Sequence, residues 1–329
     1  MRFDIPAAEL VPILEDLVLY DSAELARSAA ALMVRFYNQQ QELQDALQNV
    51  QILVTERNVS TYEFVASQLN ELRHLLGSFS ASSCDPIVRI LRALKNLCVK
   101  YNTPFSHNQR ILRNLDAHTV VFELLRAPFD PRAPGTVAAR HELAESVFDL
   151  LGAFCLENAD NQACLFEYLD EFLRLLPDYQ SVAATLAQVF RNNRSLCSQL
   201  TEGQLRKIVN TIASGCRFPR FLRLLETLTM VNGRPVRRNQ TLVLKMLMEQ
   251  QADTLVLFND PESAQERNRL IREGDFRQNP NSVLMYHRLL IDLITSCAAG
   301  KIYEAEIKAQ ALYSVHDIAQ HLVDSENLR

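Results

Sequence analysis

Apolar residues recur close to every 3.6 positions along almost the whole chain. Between Pro86 and Tyr101, the residues Ile87, Ile90, Leu91, Leu94, Leu97, Cys98 and Tyr101 fall on one stripe. Arg89, Arg92, Lys95, Asn96 and Lys100 fall largely outside it. Such a stripe predicts an amphipathic helix that must bury one face. The pattern returns in Leu143, Val147, Leu150, Leu151 and Phe154, in Leu205, Ile208, Val209 and Ile212, and in Leu284, Leu290, Leu293, Ile294 and Cys297. Roughly 16 to 18 helical segments follow from this period. The one strand-like run, Thr254 to Phe258, has no partner run nearby and reads as an extended connection or a helix start.

Start and stop signals divide the helices. Asp21-Ser22 predicts a helix over 23–37, and Ser60, with Glu63 three residues on, predicts a capped helix over 61–76. Thr201 precedes 202–214, Asp260-Pro261 opens 261–273, and Asn281-Ser282 opens 283–298 with Gly300 as its stop. Gly77 to Ser83 and Pro128 to Gly135 read as loops.

An Asn-centred element recurs where one helix is expected to end and the next to begin. It contains Asn38-Gln39, Asn108-Gln109, Asn161-Gln162, Asn192-Asn193 and Asn239-Gln240. Asn suits that place because its side chain can accept from the free N–H groups of a helix start; Gln there is tolerated and undiagnostic. Helical units at such intervals stack, so the fold class expected is all-α: an irregular armadillo/HEAT-like α-solenoid of stacked helix pairs. A compact bundle is the alternative, but over 300 helical residues rarely share one core. The expected organisation is N-terminal helical repeats over 1–83, armadillo-like repeats over 84–250 and further repeats of the same solenoid over 251–329.

Composition narrows the function. Eight glycines and 12 prolines in 329 residues argue against a turn-rich β protein and against glycine-rich nucleotide loops. A net charge of -5 is not that of a globally basic nucleic-acid binder. The longest run without Asp, Glu, Lys or Arg, from Tyr179 to Phe190, is shorter than the roughly 20 residues a spanning helix needs. Seven scattered cysteines with no C-x-x-C pair suggest a reduced, cytosolic chain, and the acidic start Met1-Arg2-Phe3-Asp4 does not resemble a signal peptide.

The search for chemistry is nearly empty. P-loop, dinucleotide, nucleophile-elbow, zincin and EF-hand patterns are all missing, and no catalytic residue, cofactor or metal is assigned. His316 and His321 lack metal spacing. His287 reads as a buried, neutral, hydrogen-bonded residue that locks its helix to a neighbour. Cys155 and Cys164 read as small core residues, and Glu167, Asp170 and Glu171 as a solvated helix face. One charge feature stands out: Arg217, Arg220, Arg223, Arg234, Arg237, Arg238 and Lys245 occur against Glu226 alone. Two readings stand. The seven either pair with acidic segments of neighbouring repeats, or form a docking surface for an acidic protein or a phosphorylated ligand. Without interleaved aromatics, single-stranded nucleic acid is not expected.

Longer motifs carry a family resemblance. Asn259-Asp260-Pro261-Glu262-Ser263, Asn279-Pro280-Asn281-Ser282-Val283-Leu284-Met285-Tyr286-His287 and Tyr303-Glu304-Ala305-Glu306-Ile307-Lys308 resemble the central cytosolic region of inositol 1,4,5-trisphosphate receptors. Asn108-Gln109-Arg110-Ile111-Leu112 with Ala117-His118-Thr119-Val120-Val121-Phe122, and Asn161-Gln162 with Leu165, resemble the ryanodine and inositol trisphosphate receptor homology (RIH) domain. Val50 to Thr55 and Gln68 to Arg73 resemble the segment before it. Asn108, Gln109, Asn161, Gln162, Asn259, Asp260, Tyr286 and His287 are thereby marked as structural motif residues. The likeness is collinear along nearly all of the chain. It departs at Gly77 to Pro86, where the family usually carries a long polar insertion.

The resemblance implies a non-catalytic segment of a tetrameric calcium-release channel of the endoplasmic reticulum, linking ligand binding to the pore. It implies as partners other domains or subunits of the channel and regulatory proteins, with no nucleic acid. The family's ligand-holding β-trefoil and first repeats and its C-terminal pore are not matched. A stand-alone α-solenoid scaffold binding a protein partner is the alternative.

Overall fold

The computed structural model describes residues 7–49, 56–77, 79, 83–101, 103–128, 136–274, 279, 281–299 and 303–319. Most of the two expected loops, the Val50 to Thr55 motif, Gly300 and His321 lie outside the described residues. The chain divides into two compact units, Met1–Val59 and Ser60–Arg329. In the first, α1 (Ala7–Val18) packs along α2 (Ala23–Asn49), burying Leu14 and Ala29. α2 does not stop at residue 37. The Gln- and Leu-rich stretch beyond holds no Pro or Gly to end it, so Asn38-Gln39 lies inside a helix and marks no junction.

The second unit begins in α3 (Glu56–Gly77), which buries Val65, Leu69 and Leu72 on one stripe. The helix starts before Ser60, which is therefore an exposed interior residue and no cap. Solenoid steps follow. The first is α4 (Cys84–Cys98), α5 (Ser106–Asn114) and α6 (Ala117–Arg126); the second is α7 (Thr136–Cys155), α8 (Ala159–Phe166) and α9 (Leu169–Leu175). The third is α10 (Gln180–Phe190), α11 (Arg194–Gln199) and α12 (Glu202–Ala213). The fourth opens with α13 (Pro219–Thr229), α14 (Arg237–Glu249) and α15 (Gln251–Thr254), followed by α16 (Pro261–Glu273); α17 (Val283–Ala298) and α18 (Tyr303–Leu312) come last. The first three steps thus add a short middle helix to the expected pair, whereas in the fourth the middle helix α14 is longer than α13 and α15 is a single turn.

The leading helices α4, α7, α10, α13 and α17 pack each on the next. A helix with neighbours on both sides must be apolar on both. In α7, the expected Leu143, Val147, Leu150, Leu151 and Phe154 are buried, and Ala144 and Phe148 are buried as well. Each large side chain buried in this way contributes about 1.5–3 kcal/mol. Phe122 stacks on Tyr168 at 4.1 Å and meets Phe172 edge-on at 5.3 Å, joining α6 to α9. Ion pairs repeat the connection on the surface, as in Arg92–Glu142, Lys95–Asp149 and Arg126–Glu171.

Three helix starts fall where the caps place them. Thr201 and Gln204 form a reciprocal capping box, Asp260 accepts from the N–H groups of Glu262 and Ser263, and Ser282 accepts from that of Met285. α16 closes on Gly274 at φ 71°, a left-handed position that glycine adopts without strain. Thr254 ends α15, and Leu255 to Phe258 form an irregular connection that starts extended at Leu255 and turns left-handed at Phe258, closer to the connection than to the helix start of the two expectations.

Two small antiparallel ribbons correct the expectation that no other strands exist. β1 (Val99–Lys100) pairs with β2 (Thr103–Pro104), and β3 (Met230–Val231) with β4 (Arg234–Pro235). Tyr101, expected on the buried stripe of α4, is 91% exposed at the first ribbon's tip with φ 50°. Asn232 and Gly233, both at positive φ, turn the second. The two corners match position by position. Phe105 N–H donates to Cys98 O at 2.8 Å, and Val236 N–H to Thr229 O at 2.9 Å. The other two corners are tighter: Glu157 and Asn192 take the left-handed conformation, and Asn158 and Asn193 then cap α8 and α11.

Candidate interaction surface and the amide ladder

Three of the recurrent Asn-Gln pairs sit at one place in the middle helices α5, α8 and α14, but not at the cap. Asn108, Asn161 and Asn239 occupy the third helical position of α5, α8 and α14, followed by Gln109, Gln162 and Gln240. Their backbone N–H groups lie in the first helical turn, and their side-chain amides donate to carbonyls left unpaired where leading helices end. Asn108 Nδ2 donates to Leu97 O at 2.8 Å. Asn161 Nδ2 donates to Phe154 O at 2.8 Å and Gln109 O at 3.2 Å. Asn239 Nδ2 donates to Leu228 O at 2.9 Å and Cys197 O at 2.8 Å. Of the recurrent asparagines only Asn193 has the expected capping role, accepting from Leu196 N–H; in α8 that role falls to Asn158, three residues before Asn161.

The glutamines reach forward to the next step. Gln109 Nε2 donates to Ala153 O at 2.8 Å and Leu156 O at 3.0 Å, where α7 ends. Gln162 Nε2 donates to Gln188 O at 2.9 Å and Arg191 O at 3.0 Å, where α10 ends. Gln240 Nε2 donates to Ser296 O at 2.9 Å near the end of α17. The capping asparagines close the rungs: Asn158 Nδ2 donates to Gln109 Oε1 at 3.1 Å, and Asn193 Nδ2 to Gln162 Oε1 at 3.0 Å. Gln109 and Gln240 are fully buried and Gln162 nearly so, so glutamine here is diagnostic after all. In α11 the corresponding pair is Leu196-Cys197, and the Cys197 thiol makes only long contacts to Phe190 O at 3.6 Å and Thr227 O at 3.8 Å.

Tyr286 and His287 act together on the end of α15 and on the connection that leads from it to α16. The Tyr286 hydroxyl donates to Thr254 O at 2.7 Å, and burial pushes its phenol well above the usual range. His287 Nδ1 lies 2.7 Å from Val256 O, and its ring meets Phe258 edge-on at 5.0 Å. His287 thus ties α17 to a strand-like connection rather than to a helix. Asn259 is exposed beside the capping Asp260.

The seven basic residues do not form one face. Arg217 donates to Asp253 O at 2.7 Å and Ala252 O at 3.0 Å, satisfying the end of α15. Lys245 joins Glu202 and Glu249, which also pair with Arg206. Arg220 and Arg223 lie on α13. Arg234, Arg237 and Arg238 gather at the β3–β4 corner, where Arg238 donates to Leu200 O at 2.5 Å. Arg194, which the sequence did not single out, joins them there by donating to Pro235 O at 3.0 Å. The 11 residues of α13 place its two ends about 16 Å apart.

A second juxtaposition is invisible in the sequence. His118 Nε2 lies 3.1 Å from Cys164 Sγ, and the imidazole stacks on Phe154. Desolvation holds His118 below its usual range, with Arg113 adding to the shift and Asp116 and Glu167 opposing it. Burial pushes the Cys164 thiol up to about 11. The pair is neutral at pH 7, which does not suit a thiolate nucleophile. Two open grooves flank the ladder. One, of about 610 Å³, lies between α4, α7 and α10 and opposes Lys95 and Arg191 with Asp149 and Glu157. The other, of about 480 Å³, lies between the starts of α5 and α8, where Asp160 pairs with Arg113. Among the described residues no three His, Cys, Asp or Glu side chains converge as a metal site, and no helix is long and apolar enough to cross a membrane.

Stacked helical steps joined by buried amides define an α-solenoid. The chain belongs to the RIH domain family: the family's model, RYDR_ITPR, matches residues 90–257, just over half of the chain. It is 27% identical over 236 residues to the inositol 1,4,5-trisphosphate receptor itr-1 of Caenorhabditis elegans, covering 68% of this chain and 8% of the relative. It is 24% identical over 159 residues to the inositol 1,4,5-trisphosphate receptor-like protein A of Dictyostelium discoideum, covering 46% of this chain and 5% of that protein. The chain therefore spans less than a tenth of the length of these relatives.

Proposed function

We propose that this chain is a non-catalytic α-solenoid segment of an inositol trisphosphate-gated calcium-release channel. It lies on the cytosolic face of the endoplasmic reticulum membrane, couples ligand binding to the pore and offers surface to regulators. The observation that carries this reading is the amide ladder within an RIH-family solenoid. A coupling element must pass a displacement on without absorbing it, and buried amides bridging consecutive steps resist sliding between them. The partners in this reading are other domains or subunits of a tetrameric channel. The proposed division of the solenoid remains 1–83, 84–250 and 251–329.

The second reading is a stand-alone scaffold for a protein partner. An antibody raised against residues 261–273 separates the two on fractionated native cells. The channel reading expects a polypeptide several times larger than 329 residues in the endoplasmic reticulum membrane fraction. A band at the mass of 329 residues, in the soluble fraction alone, overturns it.

A further inference from the structure

The β3–β4 corner carries more positive charge than its structural task requires. Residues 179–201 and 227–248 contain no Asp or Glu. They are brought together where α11 packs on α14 and where Arg194 donates to Pro235 O. Arg194, Arg234, Arg237 and Arg238 are all exposed there. Elsewhere in the unit, basic side chains such as Arg92, Lys95, Arg126, Arg206, Lys207 and Arg269 are neutralised by ion pairs. None of the four corner arginines has an ion pair among the described residues, and Arg234 and Arg237 have no side-chain hydrogen bond there either.

The matching corners supply the control. The ribbon positions run in parallel from Val99 to Met230, Pro104 to Pro235 and Asn108 to Asn239, so Arg234, Arg237 and Arg238 correspond to Thr103, Ser106 and His107. Arg194, first residue after the capping Asn193, corresponds to Ala159 after Asn158. The fold builds the same corners without arginine. Four guanidinium groups gathered against their mutual repulsion therefore need another reason.

We propose that this corner is a docking surface for an acidic segment of a partner protein, whose Asp and Glu carboxylates are taken by the guanidinium forks. Planar forks match carboxylates two bonds at a time. Arg194 and Arg238 are already oriented by the backbone carbonyls they hold, which lowers the ordering cost of engaging a ligand. Exposed aromatics for stacking bases are missing from both stretches, since Phe190 is buried and Tyr179 packs against the core. This inference names a partner class for the scaffold surface in the proposed function. Its failure leaves the size and fractionation result untouched.

Fluorescence anisotropy of fluorescein-labelled decaglutamate, titrated with the full 329-residue chain at about 150 mM salt, tests it. The expected result is saturable binding, weakened at least about 10-fold by R234E/R237E and less than about 2-fold by R220E/R223E, which changes net charge equally on α13. None of the four substituted arginines has a side-chain partner among the described residues, Arg220 being half-buried and the other three exposed, and R234Q/R237Q, expected to weaken binding in the same direction, covers any loss of folding in the reversal. No binding by the unmodified chain, equal weakening by both reversals, or tighter arginine-dependent binding of a labelled oligoadenylate would each overturn the proposal.

Discussion

The second and third steps of the solenoid are tied to their predecessors by closed rungs, whereas the fourth and the last are not. At Gln109 and Gln162 every side-chain donor and acceptor described above has a partner, supplied by two carbonyls and a capping asparagine. At Cys197 a thiol stands in for the amide. At Gln240 the Oε1 atom is buried without a hydrogen-bond partner among the described residues, as is Oδ1 of Asn239. The difference is one of wiring rather than packing, for the leading helices stack throughout. It teaches that the repeat is held by two separable devices, an apolar face common to all steps and a polar tie complete in only some of them.

The largest break in that comparison is expected from Gln109→Met or Gln162→Met. Methionine keeps the volume but strands two carbonyls and an asparagine amide, at about 2–4 kcal/mol in urea unfolding. Asn193→Ala removes both a helix cap and the third bond of a closed rung, and is expected to cost about 1–2 kcal/mol. Gln240→Met loses one bond from a side chain already half-satisfied, so about 0.5–1.5 kcal/mol is expected. A Gln240→Met cost as large as that at Gln109 would erase the distinction between closed and open rungs.

A smaller effect depends on pH. His118 lies between α6 and α8 in the closed region, with its folded-state pKa below the unfolded value of about 6.5. The unfolded chain then binds the extra proton first. Its contribution to stability is fully present above the unfolded pKa and is lost as pH falls from there through the lower folded value. His118→Phe is expected to flatten this part of the stability-versus-pH curve, read by thermal unfolding between pH 5 and about 8.

Much of this was legible in the residues. The stripes at Ile87 to Cys98, Leu143 to Phe154 and Leu205 to Ile212 are the buried faces, and Thr201, Asp260 and Ser282 cap the helices they precede. The ribbons escaped because two residues give no alternation to read, although Asn232-Gly233 was a sufficient turn signal. The glutamines escaped for another reason. Their acceptors are backbone carbonyls at the end of another leading helix, which carry no side-chain identity. The recurrence of Asn-Gln was visible, but its role as donor rather than cap depends on where those helices end. The basic segment looked continuous because α13 places along one chain what it separates in space.

The most direct test of the ladder is a double-mutant cycle on Gln162 and Asn193. Gln162→Met, Asn193→Ala and the pair are compared by urea unfolding. If the two amides form one buried tie between steps, the double variant costs less than the sum of the singles by about 1 kcal/mol or more. Costs that add to within about 0.3 kcal/mol would show that the two side chains act independently, and would contradict the account.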